Sequence, residues 1–252
     1  MIEAETARRS QPTWYQRGIS VAVRYFITCI VLTPVVVAIS WYLTQSVMGS
    51  AVALLAFGAM AGIVGRALAR HYPHDRLGIA NIVTLSRGAL IAPLCGLLAA
   101  PALLAQSDQL AWTVLAIAIV SLSLDGVDGY FARRQGLTSS FGARFDMEID
   151  SVFALLLALL CWQSGKAGIW VLALGGMRYV FVAAALAWPW LMAPLPERFS
   201  RKAICVVQIA VLIALLAPII SGPVSWTIAA IGTALLAYSF GRDVVWLARH
   251  RP

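Results

Sequence analysis

The chain has 252 residues, of which 61% are apolar and only 12% charged, where ordinary soluble domains are roughly 25% charged. A mean hydropathy of +0.83 and repeated apolar runs exclude a large soluble domain and a disordered chain; because the runs are continuous rather than alternating, they exclude a β-barrel too. The formal charge of +8 would suit nucleic acid, but the basic residues are scattered between apolar runs, so the expected partner is the lipid bilayer and not nucleic acid.

Residues 1–20 hold Arg8, Arg9 and Arg17 beside Trp14 and Tyr15 with no apolar centre, which predicts a cytoplasmic, interfacial segment and not a cleaved signal peptide. Eight apolar runs follow, near 21–45, 51–69, 79–101, 110–131, 143–163, 168–191, 203–220 and 225–247. Each is taken as a helix crossing a hydrocarbon core of about 30 Å. Turn and capping residues mark the breaks: Ser107-Asp108, Ser164-Gly165-Lys166, Pro194 with Pro196, and Ser221-Gly222-Pro223. The fold class is therefore an all-α polytopic membrane protein. Cys29, Cys95, Cys161 and Cys205 all fall in apolar runs without C-x-x-C spacing and read as small buried hydrophobes.

The first two runs carry no acidic residue, and the basic linker RALARHYPHDR sets them off. Residues 21–77 read as an accessory helix pair with its linker, and 78–252 as the domain that holds the polar residues able to do chemistry. With both termini cytoplasmic, Arg66, Arg70, Arg76, Arg133, Arg134, Arg198, Arg201, Lys202, Arg249 and Arg251 fall at cytoplasmic span ends, and Lys166 is the basic residue of the outer loops. That bias follows the positive-inside rule.

Five of the eleven acidic residues, Asp125, Asp128, Asp146, Glu148 and Asp150, lie in one 26-residue window at the ends of the fourth and fifth runs. A carboxylate inside a bilayer costs roughly 2.5–3.5 kcal/mol on insertion scales, so a group of them calls for a cation or a watery cavity. Asp125 and Asp128 are spaced i, i+3, and Asp146 and Asp150 i, i+4, so each pair shares one helical face. The polar stretch RQGLTSSFG between them suits the turn of an antiparallel hairpin folded near Thr138, which would bring all four aspartates together. Glu148 points off that face. Hard oxygen ligands of this kind suit Mg²⁺ or Mn²⁺, and four could hold two ions. Gly129, Ala132 and Gly142 would let a large polar substrate approach, and Arg133 could bridge phosphate oxygens.

The segment DGVDGYFARRQGLTSSFGARFDMEID resembles the signature of the CDP-alcohol phosphotransferases at Asp125, Asp128, Gly129, Ala132, Arg133, Gly142, Asp146 and Asp150, with every gap kept. Asn81, Thr84 and Arg87 in NIVTLSR resemble that family's Asn-x-x-Thr-x-x-Arg pattern. The resemblance covers about residues 78–247 and implies a six-helix catalytic core to which the first two helices are added. It implies a transferase moving a phosphatidyl or related group from a CDP-linked lipid donor to an alcohol acceptor, with release of CMP. Asp125, Asp128 and Asp146 would be metal ligands, and Asp150 both a ligand and the general base. Gly129, Ala132, Arg133 and Gly142 would cradle the CDP portion, with Asn81, Thr84 and Arg87 lining its pocket.

Arg178, inside the sixth run, is costly in lipid and with Arg201 and Lys202 is a candidate for holding a phosphorylated acceptor such as glycerol 3-phosphate. RKAICVVQ lies on the G-K-x-K-T-x-x-Q pattern of phosphatidylglycerophosphate synthases at Lys202 and Gln208 and departs from it at Arg201, Ile204 and Cys205. CDP-diacylglycerol is the preferred donor; a CDP-aminoalcohol with a lipid acceptor is the alternative, and a homodimer is left open. A divalent-cation transporter would also want carboxylates in the membrane, but near its middle and on both sides.

Overall fold

The computed structural model describes residues 13–193 and 199–250, apart from the side chains at 13–20, 127, 128, 130–133 and 199–202. Among the described residues there are helices and no strands. The longer ones are α1 (Thr13–Thr44), α2 (Val47–His71), α3 (Ile79–Leu97), a short α4 (Pro101–Gln106), α5 (Asp108–Gln135), α6 (Ser140–Gln163), α7 (Leu172–Ala187), α8 (Phe199–Leu216) and α9 (Gly222–Arg249). Six stretches among them are long and apolar enough to cross a membrane: Val21–Thr44, Val47–His71, Ile79–Leu97, Asp108–Gly126, Ile169–Ala187 and Gly222–Arg249. The protein is a multi-pass, all-α integral membrane protein.

All eight apolar runs fall on helices, with differences that have local causes. The run at 79–101 stops as a helix at Leu97; the amides of Leu98, Ala99 and Ala100 turn back onto the carbonyls of Cys95, Gly96 and Leu97, and Pro101 opens the separate α4. Proline is preset for a first helical turn and lacks the N–H that a continuing helix would use. The run at 168–191 becomes a 3₁₀ turn at Ile169–Val171, then α7, then a second 3₁₀ turn at Pro189–Met192. Trp188, held at φ −125° and ψ 87° before Pro189, ends α7 as pre-proline sterics require. Residues 140–163 form one continuous helix, yet Arg144, Asp146, Glu148 and Asp150 keep its first half too charged to count as an apolar span.

The chain divides into two compact units. The first comprises residues up to Pro93 together with Ser121–Ile149, and the second comprises Leu94–Val120 and residues from Asp150 onward. In the first, α1 and α2 form a hairpin whose tight link places Gln45 at φ 47°, while Ser46 Oγ accepts from the Gly49 amide at 3.5 Å to start α2. Tyr25 donates to the Ala61 carbonyl at 2.7 Å, and Val21, Val36, Ala53 and Phe57 are buried. The outward faces are apolar at Phe26, Ile30, Leu55 and Ile63, as a lipid solvent demands.

In the second unit Phe153, Leu157, Leu160, Leu174, Leu212 and Leu215 are fully buried. A Cβ at Gly175 would come within 2.5 Å of Leu155 Cα, so only glycine lets α7 approach α6 this closely. The Gln208 side-chain amide donates to the Leu174 carbonyl, tying α8 to α7. Lys166 reaches from the loop after α6 to the carbonyls of Ala217 and Ile220, at 2.9 and 2.7 Å, and closes the end of α8. Cys29 and Cys161 are buried and Cys95 is half-buried as expected of small hydrophobes, but Cys205 is exposed on the outer face of α8; its apolar neighbours there face lipid rather than a core.

Candidate active site

The hairpin that carries the carboxylates forms where the sequence places it. Helix α5 ends at Gln135, Gly136 takes φ 64°, and α6 starts at Ser140, with the Ser139 hydroxyl accepting from the Gly142 amide at 3.0 Å. A left-handed backbone suits glycine, and a serine just ahead of a helix meets one of its unpaired N–H groups. The turn is held from outside by His74, whose Nε2 lies 3.1 Å from the Thr138 carbonyl and donates to it in the tautomer protonated there. Gln135 Oε1 accepts from the Ile79 amide at 3.0 Å, fixing the start of α3 to the end of α5.

Asp125 on α5 and Asp146 on α6 both face Arg87 on α3. Arg87 Nη1 is 2.7 Å from Asp125 Oδ1 and 2.6 Å from Asp146 Oδ1, and its Nε donates to the Ser121 carbonyl at 3.1 Å. The guanidinium is fully buried while the two carboxylates are about one-third exposed, at 32% and 34%. A buried cation is tolerated only with such partners. One turn beyond Asp146 on the same helix stands Asp150, and Asp125, Asp146 and Asp150 each offer a carboxylate oxygen within 4.8 Å of the others.

Among the described side chains gathered here, the three carboxylates outnumber the Arg87 guanidinium by two formal negative charges, on half-buried oxygens. Like charges this close repel unless a cation lies among them. An oxygen-only donor set with a surplus of two charges fits a hard divalent ion such as Mg²⁺ or Mn²⁺ and offers nothing to a softer metal that prefers sulfur or imidazole.

The other candidate residues divide by place. Asn81 and Thr84 are buried on α3, on the approach to Arg87; Asn81 Nδ2 donates to the Tyr72 hydroxyl at 3.3 Å, and the Thr84 hydroxyl donates to the Ala80 carbonyl at 3.0 Å. Gly142 lies in the first turn of α6, where a Cβ would meet Asn81 Oδ1 at 3.4 Å. Gly129 is half-buried on α5. The side chains of Asp128, Ala132, Arg133, Arg201 and Lys202, and all of Arg198, lie outside the described residues. Arg178 is half-buried on α7. Glu148 is not among the three gathered carboxylates.

Two features go beyond the sequence expectation. Arg87, expected to line a nucleotide pocket, is the counter-charge of the aspartates; the signal for this was a lone basic residue within an apolar helix, which needs an acidic partner. Tyr72 and His74, in the linker that the sequence marks only as basic, hold Asn81 and the hairpin turn.

The family model for CDP-alcohol phosphatidyltransferases matches residues 77–238, which include Arg87 and all three gathered aspartates. The chain belongs to the CDP-alcohol phosphatidyltransferase family. Its members are transferases that join a CDP-linked donor with an alcohol acceptor in lipid synthesis. No curated protein and no solved structure gives a significant match to the chain. Within this CDP-alcohol phosphatidyltransferase the acidic cluster lies inside the matched segment and could hold a metal ion.

Proposed function

We propose that the protein transfers a phosphatidyl group from CDP-diacylglycerol to an alcohol, with release of CMP, at the cytoplasmic membrane surface in phospholipid synthesis. The observation that carries this reading is the convergence of Asp125, Asp146 and Asp150 oxygens within 4.8 Å, inside the segment that the family model matches.

Asp125, Asp128, Asp146 and Asp150 would hold Mg²⁺ or Mn²⁺, with two ions as the expected number. When bound, the ions supply neutralisation of the pyrophosphate and polarisation of the phosphorus under attack. Asp150 takes the proton of the attacking hydroxyl as the new phosphorus–oxygen bond forms. The bond to the CMP oxygen breaks in the same displacement, and CMP leaves with the electron pair. Gly129, Ala132 and Gly142 admit the CDP portion, Arg133 grips its phosphates as a two-pronged donor, and Asn81 and Thr84 line its pocket. Arg178, Arg201 and Lys202 receive a phosphorylated alcohol such as glycerol 3-phosphate. Residues 1–20 lie at the cytoplasmic interface, 21–77 form an accessory helix pair with its linker, and 78–252 form the catalytic domain.

The test is incubation of the purified protein with CDP-diacylglycerol, Mg²⁺ or Mn²⁺ and a panel of alcohols, reading CMP release and the mass of the lipid formed. The reading requires metal-dependent CMP release with one alcohol consumed. CMP released only from a soluble CDP-aminoalcohol with diacylglycerol present would reverse the donor and acceptor; no CMP from any pair would overturn the transferase reading.

A further inference from the structure

Tyr72 lies ahead of the segment matched by the family model, which begins at residue 77, and it is the residue at which α2 stops. Its amide donates to the Leu68 carbonyl at 3.1 Å, and its backbone then turns extended, at φ −83° and ψ 119°, before Pro73. The phenol oxygen collects three bonds: it accepts from the Gly78 amide at 3.1 Å and from Asn81 Nδ2 at 3.3 Å, and donates to the Arg76 carbonyl at 2.8 Å. One proton and two lone pairs are thereby all used. The ring stands edge-on to Phe141, in the first turn of α6, with centroids 5.5 Å apart, and edge-on to His74 at the same separation.

The bond to Asn81 has a directional consequence. A carboxamide can turn over and exchange its oxygen with its nitrogen, and the hydrogen-bond partners decide which face goes where. With Nδ2 committed to Tyr72, Asn81 Oδ1 lies on the Gly142 side, beside the first turn of α6. It is an acceptor there, suited to a sugar hydroxyl or an exocyclic amine of a nucleoside.

We propose that Tyr72 is a positioning residue for the CDP portion of the donor, by which the end of the accessory helix pair sets the orientation of Asn81 and seats the start of α6. The proposal rests on the transferase reading above. Tyr72→Phe keeps the ring against Phe141 and removes the hydroxyl. It is expected to weaken CMP binding and to raise KM for CDP-diacylglycerol by about three- to tenfold, the worth of one neutral hydrogen bond, with kcat within about twofold. In an Asn81→Ala background the same change is expected to add nothing, because its effect passes through the amide.

An unchanged KM in Tyr72→Phe, or an equal loss in the Asn81→Ala background, would each overturn the proposal while wild-type binding of CMP leaves the transferase reading standing. A wild-type protein that neither binds CMP nor releases it from CDP-diacylglycerol would remove both.

Discussion

A single guanidinium nitrogen, Nη1 of Arg87, lies 2.6 Å from Asp146 and 2.7 Å from Asp125, so one buried cation on α3 joins carboxylates from two successive helices. Removing it would take away the cation that both carboxylates contact. Arg87→Met is expected to destabilise the protein by about 3–5 kcal/mol, the usual effect of deleting one member of a buried ion pair. Millimolar Mg²⁺ should recover part of that loss by taking over the neutralising role. Unfolding midpoints in detergent, with and without Mg²⁺, measure both effects; a midpoint equal to wild type would show that the pair carries no stability.

Asp125→Asn and Asp146→Asn each remove an oxygen donor from the gathered group and leave Arg87 with its other partner. Both variants should fold, lose the thermal stabilisation that Mg²⁺ gives the wild type, and lose CMP release by at least about a hundredfold. Full activity at ordinary metal concentration in either variant would take that residue out of the metal site.

Asp150 makes a different prediction, because its proposed work includes proton transfer. Asp150→Asn should lower turnover by about 10²–10⁴-fold, the range for loss of a general base. Donor binding should survive in part through the remaining carboxylates. The comparison needs donor affinity and product formation on one preparation. Turnover at the wild-type rate, or complete loss of donor binding with normal chemistry of any donor that is bound, would reduce Asp150 to a ligand.

Lys166 caps the carbonyls of Ala217 and Ile220 with its ammonium, and burial holds its pKa below the ordinary 10.5. A folded form that releases this proton earlier than the unfolded chain gains stability as pH rises. The gain is complete above about 10.5 and is lost as pH falls through the lowered folded value. Lys166→Met should flatten that slope and, by stripping two carbonyls of their donor, lower the unfolding midpoint measured at neutral pH.

Orientation is testable at two points of the chain. In a cysteine-free background, a cysteine at Thr138, exposed in the hairpin turn, should react with an impermeant thiol reagent only from the cytoplasmic side, and one at Lys166, in the loop after α6, only from the opposite side. The reverse pattern would contradict the positive-inside assignment.

Much of this molecule is legible in its sequence because lipid enforces simple rules. Continuous apolar runs had to become helices, and each of the eight carries one, although only six stretches among the described residues are long and apolar enough to cross a membrane. The spacing of Asp125, Asp146 and Asp150 on either side of a polar, glycine-bearing stretch was enough to bring them together. The structure adds pairings that periodicity cannot express. Arg87 lies far from its partners along the chain, so only the crossing of α3 with α5 and α6 reveals which carboxylates it serves. Tyr72 and His74 sit in a stretch whose basic character masks their directional hydrogen bonds. Pro189 and the turn before Pro101 cut apolar runs that hydropathy alone reads through, since hydropathy does not register a missing N–H.

The sequence positions of the Arg87 ion pairs also bear on biogenesis. Arg87 leaves the ribosome 38 residues before Asp125 and 59 before Asp146. Helix α3 can therefore be threaded into the membrane, with its one positive charge, before either acidic helix is synthesised. The helix α6, too charged to partition well by itself, is then made after the residue that supplies its counter-ion. Vectorial synthesis thus supplies the cation first and the anions second, and exchanging the order of these segments would ask the acidic hairpin to enter lipid unescorted.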